Sequence, residues 1–175
     1  MSIYSAYFNY AVERTLGIEG GYVDDGVDRG GPTNLGITQA EALRHGIADV
    51  RAITRDQAIQ IYYQDYWLVC NLDEIGSRSV TAELFDTAVN CGIVITGKNL
   101  QEAFNVLFSP PEPALKIDGK IGPKTITATN FQLPRYEMAL WKACNGEQYI
   151  HYKNLKISNP GYASRYIRGW SANRL

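Results

Sequence analysis

Residues Glu19–Thr38 read EGGYVDDGVDRGGPTNLGIT, and the rest of the chain is arranged around them. Six of the sixteen glycines fall here (Gly20, Gly21, Gly26, Gly30, Gly31 and Gly36), with four acids, Glu19, Asp24, Asp25 and Asp28. Glycine supplies positive φ and close backbone approach, and loops carried by a rigid scaffold are where binding and catalytic groups concentrate. A solvated turn would have the same composition, so the flanks have to separate the two readings. On the N-terminal side Phe8, Ala11, Val12, Thr15 and Leu16 recur at helical spacing. That pattern predicts a helix over residues 5–18, stopped by Gly20-Gly21, with Glu19 at its C-terminal end. On the other side, Thr38-Gln39-Ala40-Glu41 is a capping box that starts a short helix closed by Gly46. The residues between have room for a short β-hairpin around Val23 to Ile37.

Further on, the chain is almost wholly helical in pattern. Thr54-Arg55-Asp56-Gln57 is a second capping box, opening a helix through about Trp67 with Ala58, Ile61, Tyr62 and Tyr66 on one face. Ser77 to Cys91 reads as a mostly buried helix ended by Gly92, and Thr96 as the cap of another through about Phe108. The breaker-rich SPPEPALK (109–116) separates residues 1–108 from a C-terminal helical region, 109–175, expected to pack with the first as one unit. Pro123 in DGKIGPKT suits a first helical position. Pro134 is expected to start the longest helix, about 135–152, and Pro160-Gly161 to precede a terminal helix carrying Tyr166, Ile167 and Trp170. The pattern is that of a mainly α domain with a small β-hairpin in its N-terminal third.

Composition narrows the function. With 45% hydrophobic and 20% charged residues and a net charge of −1, the chain has no global basic field to draw in nucleic acid. The C-terminal flank alone is basic, with Arg135, Lys142, Lys153, Lys156, Arg165, Arg168 and Arg174 against Glu137 and Glu147. Such a flank is either a solvated helix face or a complement to an anionic envelope. Cys70, Cys91 and Cys144 lack metal or redox spacing, and His45 and His151 are far apart, so they read as structural and no metal or organic cofactor is expected. The first residues have no signal-peptide pattern and no stretch is long enough to span a membrane, so any work outside the cytoplasm would need a non-standard exit route, and a monomer is expected.

Glu19 carries the chemistry. A carboxyl at a helix C-terminus meets the negative pole of the helix dipole, and burial pushes its pKa the same way, upward. A carboxyl kept protonated near neutral pH is what a general acid needs. Asp28, across a loop able to fold back, offers a second carboxyl in a wetter setting, the pairing that glycoside hydrolysis uses. Asp24 or Asp25 is an alternative second carboxylate. Thr33 follows with a hydroxyl able to hold water. Tyr22 and the Tyr62, Tyr63, Tyr66, Trp67 group are aromatics able to stack on sugar rings, although helical spacing puts most of the latter in a core.

The string E-G-G-Y-V through T-N-x-G-I-T resembles the N-terminal signature of glycoside hydrolase family 108, peptidoglycan-cleaving N-acetylmuramidases found among phage endolysins and holin-coupled secreted lysozymes. The resemblance implies a lysozyme-like fold with Glu19 as the catalytic acid. The order Glu19, Asp28, Thr33 is similar to the glutamate, aspartate and threonine of small phage lysozymes, with the second interval one residue shorter. LFDTAVNCG (84–92) resembles the family's buried helix, in which an aspartate and an asparagine face the cleft. Asp86 and Asn90, at i and i+4, share a helix face. DGKIGPKT (118–125) resembles the turn of peptidoglycan-binding modules, although its residue types also make a tight connection without any ligand. The implied activity is hydrolysis of the β-1,4 bond between N-acetylmuramic acid and N-acetylglucosamine, a bacteriolytic action in the periplasm or wall after holin-dependent release. Two other readings stay open: a lytic transglycosylase using the same glutamate, and a non-catalytic wall-binding or tail structural protein.

Overall fold

The computed structural model describes residues 3–18, 21–24, 31–161, 167 and 171–172. The described chain is mainly α, with one two-stranded hairpin. Helix α1 spans Ala6–Ile18, strands β1 and β2 span Thr33–Asn34 and Ile37–Thr38, and α2 spans Gln39–Arg44. They are followed by α3 (Arg55–Tyr62), α4 (Arg78–Cys91), α5 (Ile93–Phe108) and α6 (Pro123–Ser158).

Local chemistry sets most boundaries. Thr38 and Thr54 each close a full capping box, accepting from the N3 backbone while Glu41 or Gln57 reaches back to the cap N–H. Ser77 caps α4 through its hydroxyl, and Gly92 ends it. Pro123 sits in the first turn of α6, where its missing N–H has no intrahelical partner to lose.

Three boundaries differ from the sequence expectation. α5 begins at Ile93, directly after Gly92, and Thr96 lies buried inside it. The Thr96 hydroxyl bonds back to the Gly92 carbonyl at 3.1 Å instead of capping. α6 passes Pro134 and is interrupted two residues later, where non-helical angles at Tyr136 (φ −128°, ψ 19°) join two helical segments at a kink. A proline removes one backbone donor and crowds the preceding turn, and the second segment starts just beyond it, within two residues of where the sequence puts it. Finally, α3 passes at Tyr63–Trp67 into a π-helical turn, in which the Leu68 N–H reaches back five residues to the Tyr63 carbonyl at 3.0 Å. Of the expected terminal helix, Ile167 is helical, while Tyr166 and Trp170 lie outside the described residues.

The core is organised around α4. Its Val80, Leu84, Phe85 and Ala88 are fully buried, and it packs on α1, α5 and α6. Phe8 of α1 meets Trp67 and Phe85 edge-on, with ring centroids 5.2 and 5.8 Å apart. Tyr62 and Trp67 are buried, and Tyr63 and Tyr66 half-buried, so these rings are chiefly core. The DGKIGPKT turn is clamped onto α5. Gln101 donates to the Asp118 carboxylate and the Lys120 carbonyl, both at 3.0 Å, and accepts from the Asp118 and Gly119 N–H groups. The backbones meet where both residues lack a side chain: a Cβ on Gly97 would stand 2.2 Å from the Gly119 carbonyl oxygen. Among the described residues no helix is long and apolar enough to cross a membrane.

Candidate active site

Of the site residues expected from sequence, Glu19 and Asp28 lie outside the described residues, as does the alternative Asp25. Thr33, Tyr22, Asp24, Asp86 and Asn90 are described, together with the frame that holds them. In the chain Glu19 follows Ile18, the last residue of α1, and α1 packs along buried α4.

The hairpin comes next in the chain, and Thr33 is its centre. Its backbone exchanges two hydrogen bonds with Val23, at 2.8 and 2.9 Å, and it pairs with Thr38 on the other side. The Thr33 hydroxyl donates to the Gly31 carbonyl at 3.1 Å, which leaves the oxygen lone pairs to accept from water or substrate. The two turn residues, Leu35 and Gly36, both have positive φ (51° and 75°), the requirement of a tight hairpin whose twist matches its strands. For a leucine that conformation costs about 1–2 kcal/mol. The Tyr62 hydroxyl holds it there, donating to the Leu35 carbonyl at 2.9 Å. Asn34 adds a bond to the Val50 carbonyl at 3.2 Å, tying the hairpin to the 3-10 turn Val50–Ala52.

Behind the hairpin, Glu41 does more than close the α2 cap. One carboxylate oxygen accepts from the Thr38 N–H and hydroxyl at 2.9 and 2.8 Å. The other accepts from the Tyr66 hydroxyl, which the π-helical turn presents. Burial, with the Glu41 charge adding to it, holds the Tyr66 phenol well above the ordinary tyrosine range, so it stays a donor. His45 and Arg44 both reach Asp65, at 2.9 and 3.7 Å, and join the same corner. This anchoring was not legible as such: the capping box marks Glu41, but the link to Tyr66 depends on the π turn.

Tyr22 is exposed, and its hydroxyl donates to Asp24 at 3.4 Å on the rim beside the hairpin. Asp86 and Asn90 belong to α4. The Asn90 amide donates to the Asp86 backbone carbonyl at 2.8 Å, the local bond an asparagine can make within its own helix. The Asp86 carboxylate accepts from Gln148 of α6 at 3.1 Å. The structure thus gathers Tyr22, Asp24 and Thr33 at the hairpin and holds Asp86 and Asn90 on the central helix.

Sequence reasoning passed over Glu83. It lies on α4 one turn before Thr87, is 3% exposed, and accepts from Asn145 of α6 at 3.4 Å through one oxygen, while the other has no hydrogen-bond partner among the described residues. Burial pushes its carboxyl up to about 7, and nearby Asp86 adds to this, against the opposing Asn145 bond and the Arg14 charge. The signal was available, because a helix apolar around most of its circumference buries its acids as well.

Comparison with known proteins agrees with this architecture. Residues 12–92 match the family described as glycosyl hydrolase 108, and residues 98–175 match a predicted peptidoglycan domain. Comparison with curated proteins gives no significant match. Among solved structures the chain is similar to Brucella abortus SagA, at 28% identity over 95% of this chain and 92% of that one, with a TM-score of 0.71. With its lysozyme-like helices around a small hairpin, the chain matches the glycosyl hydrolase 108 family through residues 12–92, and that match identifies it as a glycoside hydrolase acting on peptidoglycan.

Proposed function

We propose that the protein is an N-acetylmuramidase that hydrolyses the β-1,4 bond between N-acetylmuramic acid and N-acetylglucosamine, with Glu19 as general acid. The observation that carries this reading is the position of Glu19 in the chain. It follows the last residue of a helix packed on a buried neighbour, and the first strand pair after it in the sequence is the hairpin centred on Thr33. In the proposed reaction the Glu19 carboxyl gives its proton to the glycosidic oxygen as that bond breaks. Water adds to the anomeric carbon through an oxocarbenium-like transition state. Asp28 stabilises the developing positive charge or takes the proton of the attacking water, and Thr33 accepts a hydrogen bond from that water. Tyr22, Asp86 and Asn90 contact the glycan. Release to the wall through a holin-type pore completes the proposal, carried by the family resemblance.

Turbidity clearing of purified cell walls by wild type and Glu19→Gln, with mass spectrometry of the products, tests it. The expected outcome is clearing by wild type to reducing muramic ends, and a loss of about 10²-fold or more in Glu19→Gln. Anhydromuramic products would instead identify a transglycosylase. Equal clearing by the variant would remove Glu19 from the mechanism, and binding without clearing by wild type would leave only a wall-binding protein.

A further inference from the structure

Between α4 and α6 the interior carries a polar ladder. Glu83, Asp86 and Asn90 stand at i, i+3 and i+7 on α4, and Asn145, Gln148 and Tyr152 stand at the same offsets on α6, so each set forms one face of its helix. Asn145 donates to Glu83 at 3.4 Å and Gln148 to Asp86 at 3.1 Å. A step of three residues on one helix is matched by three on the other, so the two run in the same direction, with rungs about 4.5 Å apart. Burial changes along the α4 side: Glu83 is buried, whereas Asp86 and Asn90 are half-buried. On the α6 side Gln148 and Tyr152 are both buried. Gln148 therefore holds Asp86 from the inner side, at the level where this face of α4 opens toward the surface.

Gln148 is the member that packing does not explain. Its amide nitrogen donates to the Asp86 carboxylate and also to the Tyr152 hydroxyl, the latter at 3.0 Å. That spends both of its hydrogens, and two acceptors set the plane of the amide. The amide oxygen is buried and has no hydrogen-bond partner among the described residues. A buried acceptor left unpaired lowers stability, and an apolar side chain of similar length would avoid that loss. What the amide supplies is an aimed donor on the Asp86 carboxylate. A carboxylate turns on a soft, twofold torsion, so such a donor decides its orientation.

We infer that Gln148 is a positioning residue of the glycan-cleaving reaction. It locks the Asp86 carboxylate in the orientation that meets the glycan, so that the segment 98–175 completes a site whose other candidate residues lie within 12–92. This role rests on the proposed contact of Asp86 with the glycan.

The test is a double-mutant cycle in the full-length chain. Wild type, Gln148→Met, Asp86→Ala and the pair are assayed on a soluble muropeptide tetrasaccharide, with thermal melts alongside. Methionine keeps the length of the side chain and removes both the donor and the unpaired oxygen. Expected for Gln148→Met is a rise in KM of roughly tenfold with kcat little changed, the same split as for Asp86→Ala, and no further rise in the pair. A mere brace between helices would act otherwise: its loss would lower the folded fraction and with it kcat, leave KM alone, and add to Asp86→Ala. Wild-type KM in Gln148→Met or in Asp86→Ala, or additive effects in the pair, would overturn the inference. Where Gln148→Met does not fold, Tyr152→Phe takes its place, releasing the amide plane with the ring still packed. A roughly threefold rise in KM is then expected, and an unchanged KM overturns the inference. The hydrolase reading fails separately. Read as Kd in chains that also carry Glu19→Gln, the same cycle needs no cleavage, so a wild type that makes no products would refute that reading while the cycle still decides Gln148.

Discussion

Replacing Glu83 by glutamine should flatten the dependence of stability on pH. The folded protein holds this carboxyl at about 7, whereas its ordinary value is 4.5. Below the lower value both states carry the proton. Between the two, the unfolded chain has released it and the folded chain retains it, so stability falls as pH rises. Above the upper value both states are ionised and the full cost of the buried charge is present. At about 1.4 kcal/mol per pH unit, the loss across the window is about 3 kcal/mol. That is a large part of the 5–15 kcal/mol by which a domain is typically stable, and at about 2–4 °C per kcal/mol for a chain of this size it amounts to roughly 10 °C in Tm. The amide of Glu83→Gln cannot titrate, and it keeps an oxygen for Asn145. Any fixed cost of its extra N–H, about 1–3 kcal/mol if unpartnered, is the same at every pH and cancels in the comparison. Thermal melts at pH 5, 6, 7 and 8, followed by circular dichroism, should show the gap between variant and wild type shifting in the variant's favour by about 3 kcal/mol as pH rises. Parallel pH profiles for the two proteins would refute the reasoning.

Gly97→Ala should destabilise by about 3 kcal/mol in urea titration, because its Cβ would meet the Gly119 backbone at 2.2 Å and neither chain is free to yield. Tyr66→Phe removes the partner of one Glu41 oxygen and should cost about 1–3 kcal/mol in the same assay. A variant as stable as wild type would show that the corner does not anchor the hairpin. Asn90→Ala tests its substrate role: a rise in KM of roughly tenfold with kcat little changed is expected if the amide reaches the glycan, since one polar contact is worth about 1.4 kcal/mol. Unchanged KM would leave it only the Asp86 carbonyl it already bonds.

Much of the fold could be read in advance because its punctuation is local. The caps at Thr38, Thr54 and Ser77 and the stop at Gly92 depend on side chains within three or four residues of the backbone they bond. Thr96 misled because a threonine a few residues past a helix-ending glycine looks like a cap, while Gly92 had already taken the cap position. Pro134 did mark a change of segment, but the break falls at Tyr136, two residues on, and the helix before it continues past the proline. The site divides in the same way. The tight turn at Leu35-Gly36 lay in the glycine-rich string, whereas the burial of Glu83 by Asn145 and the link from Tyr66 to Glu41 join residues 62 and 25 positions apart. Contacts at that range leave no periodic trace in a single sequence.

The central position of α4 bears on how such a protein can be inherited. The two family matches meet between residues 92 and 98, just past the end of that helix, as though the chain were two pieces joined end to end. Yet α4 draws one wall from α1 and the others from α5 and α6, with Glu83 and Asp86 bonded to Asn145 and Gln148 across the seam. A gene cut at that point would deliver a helix stripped of two walls, with Glu83 and Asp86 deprived of Asn145 and Gln148. Exchange of one half between relatives would therefore require matching changes on the other. The two halves are expected to have changed together, as partners in one interior, whatever the separate histories of their sequences.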